Sequence, residues 1–220
     1  ILEVQLPAYR DDVWHCGHLQ ASHLVLTTGA YPKILPIDYV GLRGIWGHRI
    51  DITSSTEVPH IIHQYVSISP TLQEGVVAIG ATHNVHYSPF ESRTAYDVEA
   101  GRLELIEKAK KTLELNNINV LKDYTGLRSG SSDYMPMLGR LVDAGATLAL
   151  HPHMQHGKET DPKEFVYYPN LTMINGSGGY GFVLAPYLAK RLTKYLVLGI
   201  PLDETISPSR FFPRWAKRQS

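Results

Sequence analysis

The sequence Gly-Ser-Gly-Gly-Tyr-Gly at residues 176–181 decides how the C-terminal part of the chain folds. Residues 171–175, directly before it, are apolar and rich in strand formers, and residues 182–192 place apolar side chains at helical spacing. Glycine lets the backbone turn sharply and approach a ligand closely, and the start of a helix exposes unpaired N–H groups that suit an electron-rich partner. The pattern therefore predicts a strand, a ligand-contacting loop and a helix.

Two interpretations of this loop stay open from the residues alone. Its spacing fits Gly-x-Gly-x-x-Gly, which holds the pyrophosphate of a dinucleotide when it opens a β-α-β unit with an acidic residue after the next strand. The roughly forty residues that follow the loop contain no convincing second strand. An ordinary turn between a strand and a helix is the alternative.

The composition is that of a globular protein that can bury a core, with 220 residues of which 43% are hydrophobic. The 21 basic residues equal the 21 acidic ones, which excludes a global field that draws the chain to nucleic acid or to a membrane. No stretch approaches the ~18 apolar residues of a membrane span. The single cysteine, Cys16, excludes internal disulfides and favours a reducing compartment. We therefore expect a soluble cytoplasmic protein.

Residues 1–4 read Ile-Leu-Glu-Val, a strand-like pattern without an initiating methionine. This predicts that the sequence begins in the middle of a strand. We therefore expect the chain to be part of a longer protein. Residues 23–30 form an apolar run that ends in small residues, which is typical of a parallel strand covered on both faces.

Apolar spacing and turn signals predict the elements in the middle of the chain. They are short strands from residue 44 onward with an antiparallel hairpin of residues 65–70 and 76–80, a helix over residues 98–115 with Leu103, Leu105, Ile106, Ala109 and Leu113 on one side, and strands over residues 120–130 and 145–150.

Two polar segments can each be interpreted either as a binding site or as an exposed segment without a binding role. Residues 210–218, Arg-Phe-Phe-Pro-Arg-Trp-Ala-Lys-Arg, form a basic aromatic cluster, for which a solvated tail is favoured over a nucleic-acid contact. Residues 151–158 contain three histidines within six residues, a density that metal sites share. Because no carboxylate lies at ligand spacing and Pro152 restricts the backbone, we expect an exposed loop and no metal site.

Arg128 directly follows a predicted strand, in a turn rich in glycine and serine. The planar fork of an arginine suits a carboxylate or a phosphate. The alternative is a structural arginine that pairs with a nearby acid such as Asp123 or Asp133. The residues alone do not favour either interpretation.

In order and spacing, these segments resemble the FAD-dependent amine oxidoreductases of the D-amino-acid oxidase and glycine oxidase superfamily. The resemblance spans about residues 20–212 and rests on four segments. They are Thr-Gly-Ala at 28–30 after a strand, the hairpin end Ile-Gly-Ala-Thr at 79–82, Gly-Leu-Arg at 126–128 followed by Asp133, Pro136 and Gly139, and Gly-Phe-Val-Leu-Ala-Pro at 181–186.

The resemblance implies an α/β fold in which an FAD/NAD(P)-binding Rossmann-like domain, incomplete in this chain, is interleaved with a mostly antiparallel α+β substrate domain. The implied FAD-binding pieces are residues 1–34 and 140–220, and the implied substrate-binding domain is residues 35–139. The superfamily holds the FAD pyrophosphate with a Gly-x-Gly-x-x-Gly near its start. No such pattern precedes Gly29, so we expect it in a preceding part of the protein.

Within the superfamily the chain resembles most the C-terminal FAD domain of the bifunctional enzymes that make tRNA 5-methylaminomethyl-2-thiouridine. Ser-Asp-Tyr-Met-Pro-Met-Leu-Gly at 132–139 and Ser-Pro-Ser-Arg-Phe at 207–211 carry this likeness. It implies oxidative conversion of cmnm5-uridine in tRNA to nm5-uridine with release of glyoxylate. Alternatives are an oxidase or dehydrogenase of free glycine, sarcosine or D-amino acids, and a non-catalytic binding module of the same fold with the basic tail as its contact.

The resemblance also implies the site residues, although it implies no side-chain base and no metal. Arg128 falls on the arginine that grips the substrate carboxylate. The implied flavin-lining positions are Thr28, Gly29, Gly126, Arg128, Ser177, Gly178, Gly179, Tyr180, Gly181 and Phe182. A second carboxylate-binding arginine of the superfamily falls on Gly179 in glycine oxidase and on Tyr180 in the tRNA enzyme, and this chain has neither arginine.

Overall fold

The computed structural model describes residues 6–31 and 34–219, so the strand expected at residues 1–4 lies outside the described residues. The strands and α-helices in chain order are β1 (Ala8–Arg10), β2 (Val13–Cys16), β3 (Leu19–Ala21), β4 (Leu24–Leu26), β5 (Leu42–Thr53), β6 (Ile62–His63), β7 (Ser67–Pro70), β8 (Val76–Gly80), α1 (Val98–Lys110), β9 (Asn119–Ser131), β10 (Met137–Val142), α2 (Ala144–Leu150), β11 (Tyr167–Asn175), α3 (Gly181–Leu198) and α4 (Phe212–Ala216).

The chain divides into two compact units. The discontinuous unit consists of Ile1–Arg43 and Ser129–Ser220, and the inserted unit is Gly44–Arg128. The substrate domain expected from the sequence, residues 35–139, is wider than the inserted unit at both ends. The assignment of substrate and FAD to separate domains stays a prediction.

The inserted unit is built on a five-stranded sheet with the order β6-β7-β8-β5-β9. Strands β7 and β8 pair antiparallel, which confirms the predicted hairpin, while β5 is one strand of 12 residues where short strands were expected. Alternate residues of β5, Ile50 and Ile52, are fully buried together with Leu105 and Ala109 of α1. One face of the sheet therefore carries the helix.

Helix α1 ends at Lys110 and not at residue 115 as the sequence predicts. Its first turn is capped by Asp97, whose side chain accepts a hydrogen bond from the Ala100 N–H. The prediction that Leu103 shares the apolar side was wrong, since Leu103 is 61% exposed. Two residues span about 200° around a helix, so Leu103 lies opposite the buried Leu105.

A buried polar network connects α1 to the sheet. The imidazole of His48 is fully buried, and its Nε2 lies 2.9 Å from Oδ1 of Asp123 on β9. Arg102 of α1 contacts the same carboxylate, with Nε donating to Oδ1 at 2.8 Å. The hydrogen bond from Arg102 is the largest cause that lowers the pKa of Asp123 from 3.8 to about 2, and the bond from His48 adds to it.

The described residues of the discontinuous unit form two three-stranded sheets, with the orders β1-β2-β3 and β10-β11-β4. Strand β4 pairs parallel with β11, which confirms the predicted parallel strand, although β4 is much shorter than residues 23–30. Helix α3 confirms the predicted helix after the glycine loop, and its buried Leu188 and Leu192 pack against Leu138 of β10. Within the described residues, no helix has the length and apolar character to cross a membrane.

Two expectations for this unit were wrong. Residues 145–150 lie in helix α2 and not in a strand, because Asp143 caps the helix by accepting from the Ala146 N–H at 2.9 Å and the alanines favour a helix. The basic tail is not a solvated segment, because Phe212 is fully buried and its ring meets that of Tyr39 edge-on at 5.4 Å.

Replacing Gly101 by alanine should destabilise the inserted unit. A Cβ at this buried position of α1 would overlap Nδ1 of His48 and the hydroxyl of Tyr96. We expect a loss of about 1–3 kcal/mol of unfolding free energy from overpacking, measured by urea denaturation, although alanine is the better helix former. The control is Gly145→Ala in α2, where a Cβ meets only the carboxylate of Asp143 at 3.6 Å. A stable Gly101→Ala protein would contradict the packing of His48 against α1.

The depressed pKa of Asp123 predicts a pH-dependent stability. The folded value of about 2 lies below the ordinary 3.8, so ionised Asp123 stabilises the fold above about pH 4, and this contribution is lost as the pH falls toward 2. The Asp123→Asn protein has no carboxylate at this position, so it lacks this stabilising contribution at every pH. The difference in unfolding free energy between the two proteins, from urea denaturation, should therefore be largest at pH 7 and should shrink below about pH 4. A difference that is constant over this range would refute the assigned role of the ionised carboxylate.

Candidate functional site

Two segments of the discontinuous unit that are predicted to contact the flavin, the turn after β4 and the glycine loop at residues 176–181, are both bonded to the side-chain amide of Asn175. This residue ends β11 and is 6% exposed. Its Nδ2 donates to the carbonyl oxygen of Gly29 at 3.0 Å, and its Oδ1 accepts from the hydroxyl of Ser129 at 2.7 Å and from the Gly176 N–H at 2.9 Å. One amide therefore joins the turn after β4, a residue of β9 and the start of the glycine loop.

Asn175 is a residue that the sequence reasoning missed as part of the site. The available signal was an asparagine at the end of an apolar strand, directly before a glycine. A buried amide must find hydrogen-bond partners, and at a strand end those partners come from neighbouring segments.

The turn that follows β4 contains the predicted positions Thr28 and Gly29. The Tyr31 N–H donates to the Thr28 carbonyl at 3.4 Å, and Gly29 has a φ of +63°, a left-handed conformation that favours glycine. The bond from Asn175 holds the Gly29 carbonyl toward β11.

The glycine loop presents open backbone at the start of α3. Ser177 forms an isolated antiparallel bridge with Gly130, Gly178–Tyr180 form a single 3-10 turn, and α3 begins at Gly181. No side chain caps either turn, so the first N–H groups of the 18-residue helix have no side-chain acceptor.

The surface of this loop is accessible to a ligand. A Cβ built at Gly178, Gly179 or Gly181 would meet no described atom within 4 Å. The aromatic side chains of Tyr180 and Phe182 are exposed within the described chain, at 72% and 102%. A helix start without a side-chain cap, beside exposed aromatic rings, fits the electron-rich edge of a flavin ring system.

Arg128 and Gly126 lie within β9 in the inserted unit, so the prediction that Arg128 lies in a turn after a strand was wrong. The Arg128 side chain is half-buried, and its Nη2 donates to the carbonyl oxygen of Thr82 at 2.6 Å. Its Nε is buried without a hydrogen-bond partner among the described residues. Burial lowers the pKa of Arg128, because the charged form loses solvation.

Neither Asp123 nor Asp133, the acids that the sequence offers as partners of Arg128, contacts it. Asp123 is bound to His48 and Arg102. Asp133 is bound by Arg210, which donates from Nε at 2.8 Å and from Nη2 at 3.0 Å. Arg128 forms no salt bridge within the described part of the chain.

The histidine-rich segment forms a 3-10 helix over Pro152–His156. The Nε2 atom of His153 lies 2.8 Å from the Thr160 hydroxyl, and that of His151 lies 3.2 Å from the Glu164 carbonyl oxygen. No group of three or more His, Cys, Asp or Glu in residues 6–31 and 34–219 is arranged to hold a metal ion.

Comparison with known proteins gives a family match over most of the chain. The sequence model described as FAD dependent oxidoreductase (DAO) matches residues 3–195. The curated relatives include the tRNA 5-methylaminomethyl-2-thiouridine biosynthesis bifunctional protein MnmC of Dichelobacter nodosus, 26% identical over 90% of this chain and 32% of that protein. The protein of the same name from Legionella pneumophila is 25% identical over 94% of this chain and 32% of its own length. The chain thus spans about a third of these relatives.

Solved structures show the same fold. Glycine oxidase from Geobacillus kaustophilus superposes with a TM-score of 0.65 at 17% identity, over 94% of this chain and 52% of that one. Iminodiacetate oxidase from Chelativorans sp. BNC1 gives a TM-score of 0.59 at 20% identity, over 92% of this chain and 51% of that one. These matches confirm the expected α/β fold class. The chain therefore belongs to the family of FAD-dependent oxidoreductases, with FAD as its cofactor.

Proposed function

We propose that the protein, with FAD bound, oxidises a secondary amine of the N-substituted glycine type, and that its substrate is cmnm5-uridine in tRNA. Oxidation of the amine to an imine, followed by addition of water, would release glyoxylate and leave nm5-uridine. The name of the MnmC relatives supports a tRNA substrate, and the single cysteine agrees with a cytoplasmic setting. The observation that carries the proposal is the unpaired cation of Arg128.

Arg128 would bind the carboxylate of the glycine moiety. A half-buried guanidinium without an acidic partner costs solvation free energy that an incoming anion recovers. Carboxylate is the anion that a planar guanidinium matches with two parallel hydrogen bonds. Because positions 179 and 180 carry Gly179 and Tyr180, no second arginine from the glycine loop would share this role.

The discontinuous unit would hold the isoalloxazine edge of FAD. Bound FAD supplies the two-electron acceptor for the oxidation. Backbone N–H groups of residues 177–182 would donate to the ring edge, apart from that of Tyr180, which donates to the Ser177 carbonyl at 3.0 Å, and the helix start favours negative charge there. We assign Thr28 and Gly29 on the turn after β4 as further lining positions in this unit, and we assign Gly126 on β9 of the inserted unit from the family resemblance alone.

Removal of the Arg128 charge should weaken substrate binding more than it slows turnover. For Arg128→Ala we expect KM for the glycine-type substrate to rise about 10- to 100-fold, since a charge-assisted hydrogen bond contributes about 1.5–3 kcal/mol. Steady-state kinetics of the FAD-loaded full-length protein measures this. Arg49→Ala is the matched control, because Arg49 is 46% exposed at its side chain and already pairs with Asp51 at 2.7 Å. An unchanged KM in Arg128→Ala would refute the role of Arg128 in binding the substrate carboxylate.

The substrate class can be tested directly by product release. We expect the full-length protein with FAD to release glyoxylate from tRNA that carries cmnm5-uridine, faster at equal concentration than from free glycine or sarcosine. Glyoxylate can be quantified as its phenylhydrazone, and tRNA that already carries nm5-uridine is the control. Release from free glycine alone would replace the tRNA assignment by a glycine oxidase. A purified protein that retains no flavin would favour the non-catalytic binding module.

A further inference from the structure

The guanidinium of Arg128 occupies space that exists because residue 47 has no side chain. A Cβ at Gly47 on β5 would stand 2.9 Å from Nη2 of Arg128 and 3.1 Å from both Cζ and Nε. Such distances are shorter than a van der Waals contact, so the guanidinium could not stay where it is beside an alanine. The requirement for glycine here comes from this close approach.

The Thr82 carbonyl oxygen, which accepts the hydrogen bond from Nη2 of Arg128, is itself held in place. Thr82 is 2% exposed and exchanges two hydrogen bonds with His48. The His48 N–H donates to the Thr82 hydroxyl oxygen at 2.9 Å, and the Thr82 N–H donates to the His48 carbonyl at 3.0 Å. His48 is in turn fixed by Asp123 at 2.9 Å. The Thr82 carbonyl is therefore a rigid acceptor for Arg128.

These contacts leave one edge of the guanidinium for a ligand. The Nε atom is buried and lies against Gly47, and Nη2 gives one of its two protons to Thr82. Nη1 makes no hydrogen bond within the described residues, and Nη2 keeps its second proton. The outer edge formed by Nη1 and Nη2 is therefore the part that can bind two oxygens side by side.

We propose that Gly47 and Thr82 are positioning residues that set Arg128 to bind a substrate carboxylate through its Nη1–Nη2 edge, an inference that rests on the proposed carboxylate-binding function of Arg128. Gly47 leaves room for the guanidinium because it has no side chain, and the hydrogen bond to the Thr82 carbonyl fixes the rotation of the guanidinium. Together they make the site selective for a planar anion over an uncharged amide of the same shape.

The test measures binding of an unreactive pair of probes to the FAD-loaded full-length protein. Methoxyacetate is an ether analogue of N-methylglycine, and methoxyacetamide is its uncharged counterpart. Calorimetry gives both dissociation constants. We expect the wild-type protein to prefer the carboxylate and Gly47→Ala to lose about tenfold of that preference. The variant should fold, because the overlapping atoms are the far end of a flexible side chain.

A double-mutant cycle separates positioning from general damage. In an Arg128→Ala background, Gly47→Ala should have no further effect on the preference, since its effect acts through Arg128. The matched control is Gly44→Ala on the same strand, where a Cβ would press on the end of Leu127 at 2.9 Å. It should leave the preference unchanged. Thr82→Val, which removes the hydroxyl bond to the His48 N–H, should lower the preference by a smaller factor.

The outcomes distinguish the inference from the proposed function. If Arg128→Ala abolishes the carboxylate preference while Gly47→Ala and Thr82→Val keep it, the positioning roles are overturned and the function of Arg128 stands. If the wild-type protein has no preference, or Arg128→Ala keeps it, the carboxylate-binding function fails and the inference fails with it. Loss of preference in Gly44→Ala equal to that in Gly47→Ala would also overturn the assignment to Gly47.

Discussion

The arrangement of the discontinuous unit depends on the side-chain amide of Asn175. Its partners, Gly29 and Ser129, are 146 and 46 residues away along the sequence, and its third bond fixes the start of the glycine loop. A buried amide that lost these bonds would leave unsatisfied groups at a cost of about 1–3 kcal/mol each. The amide therefore sets the relative positions of three backbone segments whose individual conformations come from glycine and from the strands.

The inserted unit shows the opposite situation at Arg128, where a charge is left without a counter-charge. Asp123 of the same unit, by contrast, has Arg102 as its ion-pair partner and a hydrogen bond with His48. This half-buried cation donates to the Thr82 carbonyl but has no acidic partner to offset its lost solvation. Binding of an anion would recover this solvation free energy, which would connect local destabilisation with recognition.

The sequence predicted those parts of the fold that depend on local pattern. The hairpin of β7 and β8 and the helix α3 follow from alternation, turn residues and helical spacing. Helix α2 was mistaken for a strand, because a short apolar run has no clear period and its cap, Asp143, lies just outside the run. The assignment of Leu103 to the buried side failed because Leu103 and Leu105, two residues apart, lie on opposite sides of a helix and only one of them can face the sheet.

The family resemblance proposes the residues of the candidate site, but it does not predict the residues that hold them in place. The positions of Arg128 and of the glycine loop follow from the family resemblance. The guanidinium of Arg128 on β9 packs against Gly47 on β5. The sequence could not predict this contact, because no local pattern shows that these two strands pair. The same holds for Asn175, since its partners are distant in sequence.

The insertion of one unit into the other has a consequence for the order of folding. The strands through which the chain enters and leaves the inserted unit, β5 and β9, are neighbours in its sheet. Once that continuous unit has folded, the intervening chain is no longer an open loop whose ends must find each other by diffusion. The entropic cost of pairing β4 with β11 then falls, because the effective separation along the chain is shortened. We therefore expect the inserted unit to act as a folding nucleus that brings the two pieces of the discontinuous unit together.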